Sequence, residues 1–154
     1  MAQVDTYLVG QTRFSRTFYS LIRGILVGIC VVYLRLKVDG KHNIPKRGAF
    51  ILAPIHRSNA DTPIVTAVTR RRLRFMGKDS LWKIRPVGWI LSALGGFPVT
   101  RGTADLEALK RCLQVLALGE PLVLFPEGTR QFGATVQPLF DGAAYLAVKA
   151  GVPI

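Results

Sequence analysis

From residue 37 onward, short apolar runs alternate with segments in which apolar positions recur three or four apart. Ala49 to Ile55 (AFILAPI) carries no charge, which suits a strand buried on both faces. Leu122 to Phe125 reads the same way, and Arg72 to Met76 and Phe97 to Val99 read as further short strands. Between them the period changes. Ser58 offers a cap for a helix reaching about Thr69, with Asp61 three residues on and Pro63 tolerated in the first turn. Pro86 to Leu94 predicts a short apolar helix. Leu106, Leu109, Leu113 and Leu116 mark one face of a helix capped by Thr103 and ended by Gly119, with Glu107, Lys110, Arg111 and Gln114 facing away. Gly142 to Ala150 predicts a last helix, closed by Gly151, and Val152 opens another strand.

This alternation predicts an α/β domain over residues 37–154: a central, mostly parallel or mixed sheet flanked by helices. No internal repeat, low-complexity tract or Ser/Gly linker divides it. The chain stops as the last strand begins, so the carboxyl-terminal part of the fold is expected to be missing. Residues 1–36 read as a separate membrane-associating helical segment. Its apolar run, Gly24 to Leu34 between Arg23 and Arg35, falls short of the roughly 20 residues of a spanning helix. It also starts late for a signal peptide and lacks a small-residue cleavage site. An interfacial or re-entrant helix with its arginines near headgroups fits best, and an ordinary buried helix is the competing reading.

Charge sharpens this picture. The 154 residues are 49% apolar and 19% charged, with a net charge of +12. Such a chain is drawn to polyanions, either nucleic acid or the anionic cytoplasmic face of a membrane. Arg70 to Arg85 holds seven basic residues (Arg70, Arg71, Arg72, Arg74, Lys78, Lys83 and Arg85) against Asp79, with Trp82 and Trp89 within or near it. That mixture suits a lipid headgroup interface. A solvated face is the plain alternative, and no nucleic-acid recognition motif accompanies the charge. Cys30 and Cys112 form neither a metal spacing nor a disulfide framework. They predict two reduced, buried thiols and a cytosolic or cytosol-facing compartment.

Three polar stretches carry candidate chemistry. In APIHRSNADTP, His56 and Asp61 lie five positions apart where a strand gives way to a helix. An imidazole accepts a proton near neutral pH when a carboxylate fixes its tautomer; alternatively, Asp61 only caps and His56 is a loop polar group. In GGFPVTR, residues 95–101, the glycines allow close backbone approach and Arg101 could grip a phosphate, or simply lie on the surface. In LFPEGTR, residues 124–130, Pro126 stops a strand and Gly128 permits an unusual turn. Glu127, Thr129 and Arg130 are thereby presented at a strand's carboxyl end, where α/β proteins place ligands. A polar loop with an internal Glu–Arg pair is the other reading.

Taken in order, HRSNAD, GGFPVTR, FPEGTR and the closing Gly151, Val152, Pro153 and Ile154 resemble the four blocks of the glycerolipid acyltransferases. That family includes the 1-acyl-glycerol-3-phosphate acyltransferases, and the resemblance covers roughly residues 38–154. It implies that His56 is the general base toward an acceptor hydroxyl, with Asp61 orienting it. Arg101 would bind the acceptor's phosphate, with Glu127, Gly128, Thr129 and Arg130 shaping its pocket. The implied partners are lysophosphatidic acid, an acyl-CoA or acyl carrier protein as donor, and a membrane phospholipid surface on the cytoplasmic face of the cell membrane. No metal, bound cofactor or nucleic acid is expected. Glycerol 3-phosphate or another lysophospholipid as acceptor, and a non-catalytic membrane-binding fragment, are the rival expectations.

Overall fold

The computed structural model describes residues 12–99 and 106–154. Among them, four parallel strands form one sheet in the order β1 (Ile51–Leu52), β4 (Leu122–Val123), β2 (Arg74–Lys78), β3 (Gly96–Val99). Leu122 lies opposite Ile51 on one side and Arg74 on the other, and Phe75 lies opposite Gly96. The helices are α1 (Arg13–Tyr33), α2 (Asp61–Val65), α3 (Arg85–Ala93), α4 (Leu106–Ala117) and α5 (Gly142–Ala150). The expected α/β class is therefore met, with a parallel sheet. Because all four strands run the same way, their carboxyl ends share one edge of the sheet. The Ile51 amide donates to the Pro153 carbonyl at 2.9 Å, so the closing residues lie along β1 where the sequence pattern predicts a strand.

Apolar runs become strands here because both faces are covered. On one face Ile51, Phe97, Leu122 and Leu124 pack with Cys112, Val115 and Leu116 of α4 and Leu146 of α5. On the other, Phe50, Leu73 and Val123 form a smaller cluster. Each fully buried branched or aromatic side chain contributes about 1.5–3 kcal/mol. The face of α4 differs from the expected leucine stripe. Leu106 is 70% exposed, while Cys112 and Val115 are buried. The apolar face runs through 109, 112, 115 and 116, which also keeps the 3.6-residue period. Cys112 behaves as a small hydrophobe, and burial pushes its thiol up to about 12. Thr103, the expected cap, lies outside the described residues.

Two other expectations shift. The helix after His56 is a short α2 followed by a 3-10 turn over Thr66–Val68, and Ala60, not Ser58, occupies its cap position. The basic run 70–85 is not one face. Arg74 is fully buried and ion-paired with Glu120, whereas Arg71 and Arg72 bond main-chain carbonyls. Trp82 turns inward: its indole packs where a Cβ on Gly77 or Gly88 would sit, and its Nε1–H donates to Ser92 Oγ at 2.9 Å. Trp89 alone of the two tryptophans stays at the surface, ringed by Phe14 and Phe18 of α1 at 6.2 and 5.9 Å.

The amino-terminal helix exceeds its apolar run. α1 has 21 residues and is long and apolar enough to cross a bilayer by length and composition. Arg23, which bounds the apolar run in the sequence, lies inside the helix. Here Arg23 Nε donates to the carbonyls of Thr66 and Thr69, each at 2.9 Å. The Leu73 amide donates to the Tyr19 hydroxyl at 3.2 Å. These bonds lay one side of α1 on the domain. Its other side exposes Phe14, Leu21, Ile25, Ile29 and Val32.

Candidate active site

β1 ends at Leu52, and the chain then passes through Pro54 into the loop that carries His56. Asp61 opens α2, and its carboxylate reaches back across this loop. Asp61 Oδ2 takes the Arg57 amide at 2.6 Å, the Ser58 amide at 2.8 Å and His56 Nδ1 at 2.8 Å. Ser58 thus gives its amide to Asp61 rather than capping the helix, and its hydroxyl accepts from the Ala60 amide at 3.1 Å. Burial acts to raise the Asp61 carboxyl, but the Ser58 amide, the His56 ring and the Arg57 amide outweigh it and hold the group below its ordinary value. An ionised carboxylate only accepts, so Nδ1 carries the ring hydrogen. In the neutral imidazole Nε2 is then the basic nitrogen, and among the described residues no side chain or amide bonds it.

The second half of the site comes from the loop after β4. The Phe125 ring stacks on the His56 ring, centroids 4.1 Å apart and 22° from parallel. Glu127 is buried beneath the His56 loop. Its Oε2 accepts the His56 amide at 2.7 Å, and its Oε1 takes Arg57 Nη2 at 3.1 Å and the Gln137 amide at 3.2 Å. The amide of His56 first, then those of Gln137 and the charge of Arg57, hold the Glu127 carboxyl below its usual range. Gln131 donates its amide to the His56 carbonyl at 2.9 Å. The histidine is therefore fixed at its ring, its amide and its carbonyl.

Gly128 permits the turn that makes this possible. Its φ is +72°, and a Cβ there would stand 2.9 Å from the Phe140 ring. Thr129 and Arg130 are exposed beyond it, and Arg130 Nη1 donates to Asn59 Oδ1 at 2.5 Å. The Glu–Arg pair that LFPEGTR suggested is replaced by two cross-loop contacts, Glu127 with Arg57 and Arg130 with Asn59. His56, Asp61, Glu127, Gly128 and Arg130 are thus brought together at the carboxyl edge of the sheet. Arg101 lies outside the described residues. Gly95 of the same block has a structural duty: its φ is +96°, and a Cβ there would clash with the Leu73 carbonyl oxygen.

Sequence reasoning passed over Arg57, Phe125 and Asn59. Arg57 and Asn59 sit inside HRSNAD, and Phe125 opens FPEGTR, so their signal was proximity to residues already singled out. Their partners lie about 70 positions away and could not be paired from spacing. Among the described residues, no group of three or more His, Cys, Asp or Glu is placed to hold a metal ion.

Known proteins share this α/β architecture. An acyltransferase family model matches residues 35–154, and the chain belongs to that family. It is 27% identical over 146 residues to a chloroplastic 1-acyl-sn-glycerol-3-phosphate acyltransferase of Brassica napus, covering 92% of this chain and 42% of that protein. With the 1-acyl-sn-glycerol-3-phosphate acyltransferase of Bacillus subtilis it shares 28% over 120 residues, or 77% of this chain and 59% of the relative. The crystal structure of the 1-acyl-sn-glycerophosphate (LPA) acyltransferase from Thermotoga maritima superposes with a TM-score of 0.69 at 26% identity, covering 96% of this chain and 61% of that one. The chain thus spans less than two thirds of each of these proteins.

Proposed function

We infer that this chain is an acyltransferase that moves a fatty acyl group from an acyl thioester to the free hydroxyl of 1-acyl-glycerol 3-phosphate, giving phosphatidic acid. The observation that carries this reading is the His56–Asp61 contact of 2.8 Å, with Nε2 left to meet a substrate. Nε2 takes the proton of the acceptor hydroxyl as its oxygen attacks the thioester carbonyl. The tetrahedral intermediate collapses, the C–S bond breaks, and the imidazolium returns its proton to the departing thiolate. Asp61 holds the ring hydrogen on Nδ1 and stabilises the positive ring between these two transfers. Neither enzyme nucleophile nor metal is required by this sequence of steps.

Other assignments follow the family resemblance. Arg101 takes the acceptor's phosphate through its planar fork. Glu127, Gly128, Thr129 and Arg130 shape the acceptor pocket, with Glu127 acting through the backbone of His56 and through Arg57. The donor is acyl-CoA or acyl carrier protein, both polyanions suited to a chain of net charge +12. The exposed apolar side of α1, continued by Trp89, Ile90 and Ile84, is the face laid on the cytoplasmic leaflet of the cell membrane.

An acceptor panel tests the reading. The chain is supplied with one acyl-CoA and, in separate reactions, lysophosphatidic acid, glycerol 3-phosphate and a lysophosphatidylcholine. Preferred turnover of lysophosphatidic acid is expected. Preference for another acceptor would reassign the substrate, and vesicle binding without any turnover would mark this chain as a membrane-binding module.

A further inference from the structure

The amino edge of the sheet holds a concave site. A cleft of about 300 Å³ opens between the first half of α1 and the segments leading into β2 and β4. Arg16, Arg70, Arg71 and Arg72 line it, with Glu120 as the acid on its wall. Since the strands are parallel, residues that precede β2 and β4 lie at the edge opposite to His56 and Glu127, which follow β1 and β4. This cleft is therefore separate from the candidate active site.

Its charges are unbalanced. Glu120 is already ion-paired with buried Arg74. Arg71 is engaged by the Pro45 carbonyl at 3.2 Å, the Gly119 carbonyl at 2.9 Å and the face of Phe50. Arg72 is not satisfied. Its Nη2 reaches the Ser92 carbonyl at 2.7 Å, but its Nε and Nη1 are buried with no acceptor. Leaving charged donors buried and unpaired is costly. Burial first, and then the nearby charge of Arg74, pull the Arg72 guanidinium down to about 10. Arg16 and Arg70 are exposed at the mouth.

We propose that this cleft binds the phosphate of an anionic phospholipid headgroup, gripped by Arg16 and Arg70, with the positive charge of Arg72 behind them. A tetrahedral anion supplies acceptors to several guanidinium forks at once. The lipid source, rather than free phosphate, is indicated by α1. The helix that places Arg16 in the cleft exposes Phe14, Leu21 and Ile25 on its other side, so with that face in the acyl boundary the arginines stand one helix diameter, ~10 Å, above it, at headgroup height. The site rests on geometry at the amino edge and does not depend on the acyl-transfer reading.

The test is co-sedimentation with phosphatidylcholine vesicles, with and without phosphatidylglycerol, and thermal melting with inorganic phosphate. The intact chain should prefer the anionic vesicles, and Arg16→Gln with Arg70→Gln should weaken that binding about tenfold or more. The control pair Lys110→Gln with Lys149→Gln removes the same charge from exposed positions on α4 and α5 and should change it by less than about threefold. Arg72→Gln should reduce binding as the cleft pair does; if it fails to fold, the exposed Arg16 and Arg70 pair still decides the matter. Equal losses in the cleft and control pairs would mean diffuse charge attraction and overturn the proposal. Inorganic phosphate that raises the melting temperature by itself, with no preference for anionic vesicles, would assign the cleft to free phosphate and overturn the lipid source.

Discussion

The two edges of the sheet treat charge in opposite ways. At the carboxyl edge two carboxylates, Asp61 and Glu127, gather amides, a ring nitrogen and the Arg57 guanidinium around one histidine. At the amino edge one carboxylate, Glu120, faces a group of arginines and is already committed to Arg74. The first arrangement fixes His56 at its ring, its amide and its carbonyl, although Arg57 Nη1 is buried without an acceptor. The second is short of an acceptor. A chain with a net charge of +12 thus gathers two acids around its histidine and clusters arginines around one acid at the opposite edge.

The contrast can be broken from either edge. The largest effect belongs to Asp61→Asn, which lets an amide NH2 face the ring and favours the wrong tautomer. A kcat loss of about 10³–10⁴-fold is expected in the acyl-transfer assay, with anionic vesicle binding retained. At the amino edge, Glu120→Ala removes the carboxylate ion-paired with an arginine that has no exposed side-chain surface. That should cost about 2–3 kcal/mol in chemical denaturation, since Glu120 itself is one-fifth exposed. Gly128→Ala meets both a positive φ and the Phe140 ring. It should cost about 1–2 kcal/mol and lower turnover less than Asp61→Asn does.

A smaller signal is the acid limb of the stability curve. The folded-state pKa of Asp61 lies below its ordinary 3.8, so the folded chain binds fewer protons there than the unfolded one. The stabilisation is full above 3.8 and disappears as pH falls through the folded value. Denaturation midpoints of the intact chain should therefore fall more steeply in acid than those of Asp61→Asn. Parallel curves would remove Asp61 as a charged anchor of the loop.

The local patterns and the structure agree where one element decides the matter. Uncharged runs such as AFILAPI became strands in a parallel sheet, and Gly142–Ala150 became a helix closed by Gly151 in the left-handed conformation. His56 and Asp61 are close in sequence, so their meeting needs only a loop and one helical turn. What stayed hidden depends on contacts between distant segments. Arg74 reads as surface charge until Glu120 is placed beside it, and Trp82 reads as an interfacial anchor until Gly77, Gly88 and Gly96 make room for its ring. Likewise, Glu127 looks like a ligand-facing acid in FPEGTR, yet its carboxylate is spent on the loop of His56. The place of Arg23 inside α1 depends on such contacts too: its Nε donates to the carbonyls of Thr66 and Thr69, more than 40 positions away.

The most direct measurement is acyl transfer from acyl-CoA to lysophosphatidic acid by His56→Ala beside the intact chain, with circular dichroism and vesicle binding recorded on the same samples. Loss of the general base should lower kcat by about 10²–10⁴-fold while the fold and lipid binding stay as they were. Turnover near that of the intact chain would contradict the role given to His56.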